Sequence, residues 1–133
     1  MKAIAVYLRT MQFIAHRAHI ETHGSTFFED HKFLGKAYED YQSAYDAVVE
    51  RMKGLGEQLD LNAITLEAAE TAVQVKDTIA VKLMERLYGC EVTLCKLIKI
   101  GSPKASVGTQ NLLAGIADES EVRQYKLKQR TLS

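Results

Sequence analysis

Apolar residues recur along this chain at alternating steps of three and four, the period of a helix with one buried face. Ile4, Tyr7, Met11, Ile14 and Ala18 keep that step and predict a first helix from about Lys2 to His23. Gly24-Ser25 interrupts it. Thr26-Phe27-Phe28-Glu29 then has the S/T-x-x-E form of a capping box, so a second helix is predicted to start at once and to run antiparallel to the first. Its body is Phe28, Leu34, Tyr38, Tyr41, Tyr45, Val48 and Met52, and it ends near Lys53, ahead of Gly54-Leu55-Gly56. Gly35 lies inside it at a cost near 1 kcal/mol relative to alanine, which predicts a close approach to the backbone there.

The stretch 54–66 is too apolar for a solvated loop, with Leu59, Leu61, Ile64 and Leu66, and a short helix is expected around Asn62–Ala72. A third long helix is expected from Thr71 or Val75 to Ile100, carried by Val75, Ile79, Leu83, Leu87, Val92, Leu94 and Leu97. Gly101-Ser102-Pro103 ends it, and a last helix runs from Thr109, read as its N-cap, to Lys128. The pattern predicts an all-α, single-domain chain over 1–133: a four-helix bundle with a crossover between the second and third long helices and a short extra helix within it.

Charge narrows the partners. The 17 basic and 17 acidic residues cancel, so the whole chain has no bulk attraction for nucleic acid or an anionic membrane. No run of about 18 apolar residues predicts a spanning helix. The opening MKAIAVYLRTMQF lacks a long apolar core and is not read as a secretory signal. Cys90 and Cys95 are out of phase on one helix and read as separate buried or semi-buried thiols, which favours a reducing cytoplasm.

Chemistry concentrates between His19 and Arg51. No phosphate-cradling loop, C-x-x-C or H-E-x-x-H occurs, and the E-x-x-H pairs of in-bundle di-iron sites are absent. His19 and His31 flank the first turn and should reach the same height on the hairpin. Asp46 and Glu50 share a face of the second helix as i and i+4. His31 and Asp46 are nevertheless 15 residues apart on one rigid helix, roughly 22 Å, against metal–ligand bonds of about 2 Å. Two copies remove the conflict. With two such helices antiparallel across a two-fold axis near Tyr38, the histidines of one chain face the carboxylates of the other, twice per dimer. Two imidazoles and two carboxylates suit Fe(II), with Mn(II) or Zn(II) as substitutes. On spacing alone, each pair is more often the ordinary furniture of a solvated helix face than a metal site. His16, His19 and His23 also share a face of the first helix, as further metal ligands or as solvated histidines. The helix-B tyrosines read as packing and the cysteines as core.

At these positions the chain resembles the DNA-protection-during-starvation (Dps) miniferritins of the ferritin-like superfamily. The shared pattern is His19, Gly24, Phe27, Phe28, His31, Asp46, Glu50 and Arg51, with weaker similarity through the middle connection and the start Thr109-Gln110-Asn111-Leu112-Leu113 of the last helix. The resemblance implies a hollow dodecamer that oxidises Fe(II), usually with hydrogen peroxide, at ferroxidase centres between subunits. It stores the ferric mineral inside and so protects DNA. The carried-over metal and catalytic residues are His19 and His31 from one chain and Asp46 and Glu50 from its neighbour.

Three positions depart from the family pattern. Ile20 stands where a Trp is usual, with Tyr38, Tyr41 or Tyr45 as substitutes for that ring; Gly35 stands where a carboxylate is common; and Gln110 and Asn111 stand where pore aspartates are common, with Asp118, Glu119 or Glu121 as alternatives. DNA binding would rest on Lys2 and the short cluster Lys126, Lys128 and Arg130, multiplied by the copies in a shell. The competing expectation is a structural or DNA-compacting shell whose metal site is degenerate.

Overall fold

The computed structural model describes residues 1–132, and all regular secondary structure among them is helix, with no strand. Its elements are α1 (Lys2–Glu21), α2 (Phe27–Gly54), α3 (Leu61–Val73), α4 (Ala80–Gly101), a 3-10 turn over Ser102–Lys104, and α5 (Val107–Thr131).

Cross-helix contacts fix the directions. Gln12 reaches Gln42 on one side and His19 reaches His31 near the turn, so α1 and α2 are an antiparallel hairpin. Arg17 donates to the Val75 carbonyl just before α4, while Gly101 at the end of α4 lies against Ile4, so α4 runs opposite to α1. Arg130 near the end of α5 pairs with Asp30 at the start of α2, and Arg51 at the other end of α2 donates to Thr109. Hence α2 and α5 are antiparallel, whereas α2 and α4 point the same way. Consecutive long helices that run parallel require a connection that travels back along the bundle, and the segment 55–79 supplies it, with α3 packed on α1.

The predicted core stripe of α1 is buried at Ile4, Met11, Ile14 and Ala18, with Tyr7 half-buried. On α2, Leu34, Tyr41, Tyr45, Val48 and Met52 are buried, but Phe28 is 81% exposed, so it belongs to the helix surface and not to its core. The middle connection buries Ile64, Ala68 and Ala72, while Leu61 and Leu66 face outward. The α2 and α5 helices are tied mainly at their ends. Between the ties lies a groove of about 560 Å³ lined by Phe33, Ala37, Val122 and the edge of Arg123.

Helix ends differ from expectation in instructive ways. The first helix stops at Glu21, two residues before His23, because Thr22 takes an extended conformation and its hydroxyl closes back on the His19 carbonyl. Gly24 then adopts φ +84, the left-handed conformation that glycine accepts freely. No capping box forms at α2: the Thr26 hydroxyl donates to Asp30, which Arg130 holds at 3.0 and 2.8 Å. The charge-assisted pair outcompetes the local cap. The third long helix begins at Ala80, not near Thr71 or Val75, because Val75 gives its carbonyl to Arg17 and Asp77 pairs with Arg86. The α5 helix starts earlier than read, since Ser106 is the N-cap and accepts from the Thr109 backbone N–H at 3.2 Å.

Candidate functional site

The α1–α2 turn brings His19 and His31 together. Their rings are nearly parallel, with centroids 3.7 Å apart and planes at 18°. Each Nδ1 faces the backbone carbonyl of the other residue, at 2.7 Å from His19 to His31 O and 2.9 Å from His31 to His19 O. A carbonyl only accepts, so both Nδ1 atoms carry the proton. In the neutral rings both Nε2 atoms therefore keep a free lone pair, the arrangement that prepares an imidazole for a metal ion. Phe27 stacks on the far face of His31 at 4.8 Å, and Tyr38 meets His19 edge-on at 5.5 Å.

Why His19 can sit there is a property of Gly35. A Cβ on Gly35 would lie 2.9 Å from His19 Cε1 and 3.2 Å from its Nδ1. The ring occupies the space that any side chain at position 35 would need. The close approach expected from a glycine inside α2 is this contact.

Asp46 and Glu50 are exposed one turn apart on α2, and neither makes a side-chain hydrogen bond or ion pair among the described residues. Turning at 100° per residue, His31, Gly35, Tyr38, Gln42, Asp46 and Glu50 stay within roughly a third of the helix circumference. Both pairs thus lie along one face of α2, separated by roughly 22 Å of helix. Among the described residues, no group of three or more His, Cys, Asp or Glu side chains converges within the chain.

Other candidates fall elsewhere. His16 and His23 are exposed. Gln110 is held by the Ala105 carbonyl at 3.0 Å, Asn111 is exposed, and Asp118, Glu119 and Glu121 are exposed along α5. Ile20 is 65% exposed beside the histidine pair. Lys2, Lys126 and Lys128 are exposed, but Arg130 is committed to Asp30 and contributes little to any free basic cluster. Neither cysteine is disulfide-bonded; both are half-buried. Burial raises the Cys90 thiol above its usual range, and it pushes the adjoining Tyr7 phenol up to about 12.

One cluster was not read from the sequence. Glu91 is fully buried in the bundle and accepts from Tyr41, Ser120 and Arg123, the last at 2.7 Å. Arg123 also lies 4.8 Å over the Tyr41 ring. Burial is the largest single influence on Arg123 and lowers its pKa, but the charge and hydrogen bond of Glu91 together with Tyr41 and Asp40 outweigh it, and the net shift is upward. Burial beside Glu91 raises Tyr41 well above its usual range. Every charged group here has a partner, so the cluster reads as a buried structural junction of α2, α4 and α5.

The chain matches no protein-family model and no curated protein. No helix among the described residues is long and apolar enough to cross a membrane.

Proposed function

We propose that this chain is the subunit of a Dps-like miniferritin that takes Fe(II) as substrate and oxidises it between two copies of the chain. The observation that carries the reading is the prepared histidine pair on the same α2 face as Asp46 and Glu50. That face holds two half-sites a fixed distance apart. An antiparallel α2–α2 contact centred near Tyr38 sets each pair against its complement. Imidazole nitrogen and carboxylate oxygen together suit Fe(II), and Mn(II) or Zn(II) would compete. Two further features support it: the up–down–down–up helix order with one long crossover is the connectivity of ferritin-like folds, and the eight matched positions from His19 to Arg51 carry the family resemblance.

In this reading the chain's own residues do three things. Asp46 and Glu50 of one copy supply charge that neutralises the cation. His19 and His31 of the other orient it through a fixed tautomer. The buried dimer face excludes bulk water from the centre. Peroxide is the proposed oxidant and a hollow dodecamer in the cytoplasm the proposed container, with ferric mineral stored inside and DNA spared from oxidative damage. Gly35 favours the second reading, a shell with a degenerate metal site, because His19 fills the place of the carboxylate common in the family.

The test is mass and turnover. The protein should run near twelve times 14.9 kDa and consume Fe(II) faster with peroxide than without. His19→Ala and Asp46→Ala should each abolish that rate in an intact particle. A monomer, or unchanged oxidation in both variants, contradicts the proposal; an intact particle without iron turnover selects the second reading.

A further inference from the structure

Because α2 and α5 are tied at their ends, a groove of about 560 Å³ stays open between them. That volume lies within the roughly 300–1,000 Å³ of sites that take drug-sized ligands. Phe33 and Ala37 of α2 and Val122 of α5 give the groove an apolar floor. Val122 is 52% exposed there, a large apolar side chain left facing water. At 100° per residue, Phe33 and Ala37 lie on the opposite side of α2 from His31, Tyr38 and Asp46, so the metal reading uses none of this surface.

Arg123 brings a donor to the apolar floor. It is buried, at 7% exposure. Its Nε and Nη2 donate to Glu91, at 2.7 and 3.4 Å. Its Nη1 makes no hydrogen bond among the described residues. The Asp40 carboxylate lies 3.8 Å from Nη1, beyond hydrogen-bond distance, and is itself engaged by Lys36 at 3.0 and 3.1 Å. Asp40 also lines the groove, which places Nη1 at its wall. A guanidinium has more donors than Glu91 takes up here, so Nη1 keeps its N–H groups for the groove.

Charge is sorted along the groove. The end ties set the register of the two antiparallel helices, with Asp30 opposite Arg130 and Arg51 opposite Thr109. In that register Lys32, Lys36, Arg123 and Lys126 occupy the half nearer the start of α2, and Asp40, Asp118 and Glu119 occupy the other half. Glu29 is the one acidic lining residue at the cationic end, about a turn beyond Lys32. Lys32 and Lys126 are exposed and make no ion pair among the described residues. Lys36 is spent on Asp40, which leaves Lys32, Lys126 and the Nη1 of Arg123 for an anion.

We infer that this groove binds a small organic acid. Its aromatic or alkyl body lies on Phe33, Ala37 and Val122, and its carboxylate or sulfonate meets Arg123 Nη1 between Lys32 and Lys126. Charge-assisted hydrogen bonds from a guanidinium are the strong kind, and a carboxylate matches its geometry. The acidic half repels a second negative charge and so selects a ligand with one anionic end.

The probe is anilinonaphthalene sulfonate, titrated into the full-length protein and followed by fluorescence and by calorimetry. Phenylnaphthylamine, the same rings without the sulfonate, is titrated beside it. The variants stand at exposed positions. Lys126→Glu and Val122→Glu each set a carboxylate beside the expected sulfonate, and Lys99→Glu makes the same charge change on α4, outside the groove. The wild type should bind one sulfonate dye per chain, roughly tenfold more tightly than the amine, the worth of one charge-assisted hydrogen bond. Each groove variant should weaken the sulfonate by roughly tenfold. Lys99→Glu should leave it within about twofold, because salt screens the distant change. Equal affinity for the two dyes overturns the inference, as does unchanged sulfonate affinity in either groove variant or an equal loss in Lys99→Glu. No sulfonate binding at all, whether for lack of affinity or because a second copy covers the groove, overturns it too. The ratio of the two dyes on the wild-type protein decides the anionic reading even where a variant fails to fold.

Discussion

Replacing Gly35 with alanine separates two outcomes of opposite sign. In a helix interior whose surroundings are open, the change stabilises by about 1 kcal/mol, because alanine loses less backbone freedom on folding. Here the added Cβ would sit 2.9 Å from His19 Cε1, closer than van der Waals contact allows. The ring must leave its seat. It then loses the Nδ1 hydrogen bond to His31 O, worth about 1 kcal/mol, and its stack on His31, worth about 0.5–1.5 kcal/mol. The lost contacts exceed the propensity gain, and the net is a destabilisation of about 0.5–1.5 kcal/mol. For a chain of this size that lowers the thermal midpoint by a few degrees, roughly 2–6 °C, read by circular dichroism at 222 nm. Co(II) affinity should fall as well, since His19 is freed to change tautomer. A rise in the midpoint, as an unhindered glycine-to-alanine change produces, would refute the claim that the ring of His19 is seated on α2 at this glycine.

Other outcomes follow from the same contacts. Glu91→Ala removes the buried counter-charge of Arg123 and leaves it only Asp40 at 3.8 Å, which should cost about 3–5 kcal/mol, seen as a large fall in the thermal midpoint; a shift of only a degree or two would contradict the buried junction. Arg130→Ala should lower the midpoint by releasing Asp30 at the start of α2; an unchanged midpoint would contradict the pairing. Cys90 and Tyr7 both have raised pKa values, Tyr7 at about 12. A raised folded pKa contributes stability that is complete below the unfolded value and is lost as pH rises. The thermal midpoint should therefore fall as pH climbs from about 9 towards 12, and Tyr7→Phe should flatten the upper part of that fall; an unchanged slope in the variant would contradict the assignment.

Local periodicity made the helices legible, because a three-and-four spacing of large apolar residues has one compact solution. Gly24-Ser25 and Gly101-Ser102-Pro103 marked two boundaries for the same reason, being residues that end helices by geometry. The start of α4 was not legible. Val75 and Ile79 keep helical spacing, and no glycine or proline separates them from Leu83. What breaks the helix is long-range: Arg17 taking the Val75 carbonyl and Arg86 taking Asp77. Thr26 was misread for a related reason, since the partner that diverts its hydroxyl is Asp30, held by Arg130 from the far end of the chain.

The meeting of His19 and His31 followed from counting residues either side of a tight turn. The role of Gly35 as the seat for His19 did not, since a glycine reports room and not its occupant. Glu91 and Arg123 gave no signal, because a charge inside an amphipathic pattern reads as surface until the partner from another helix is known. Phe28 shows the converse: an apolar residue in the right place on the sequence that the fold leaves exposed.

The account stands on a metal centre made in trans, with histidines from one chain and carboxylates from another. Subunit complementation tests that directly. Shells of His19→Ala chains alone and of Asp46→Ala chains alone should not oxidise Fe(II). Co-assembled from equal amounts, half of the dimers are mixed, and each mixed dimer has one intact centre and one doubly broken one. The mixture should recover roughly a quarter of the wild-type rate, as two-fold symmetry requires. Mixed particles no more active than either parent would show that these residues do not meet across the interface.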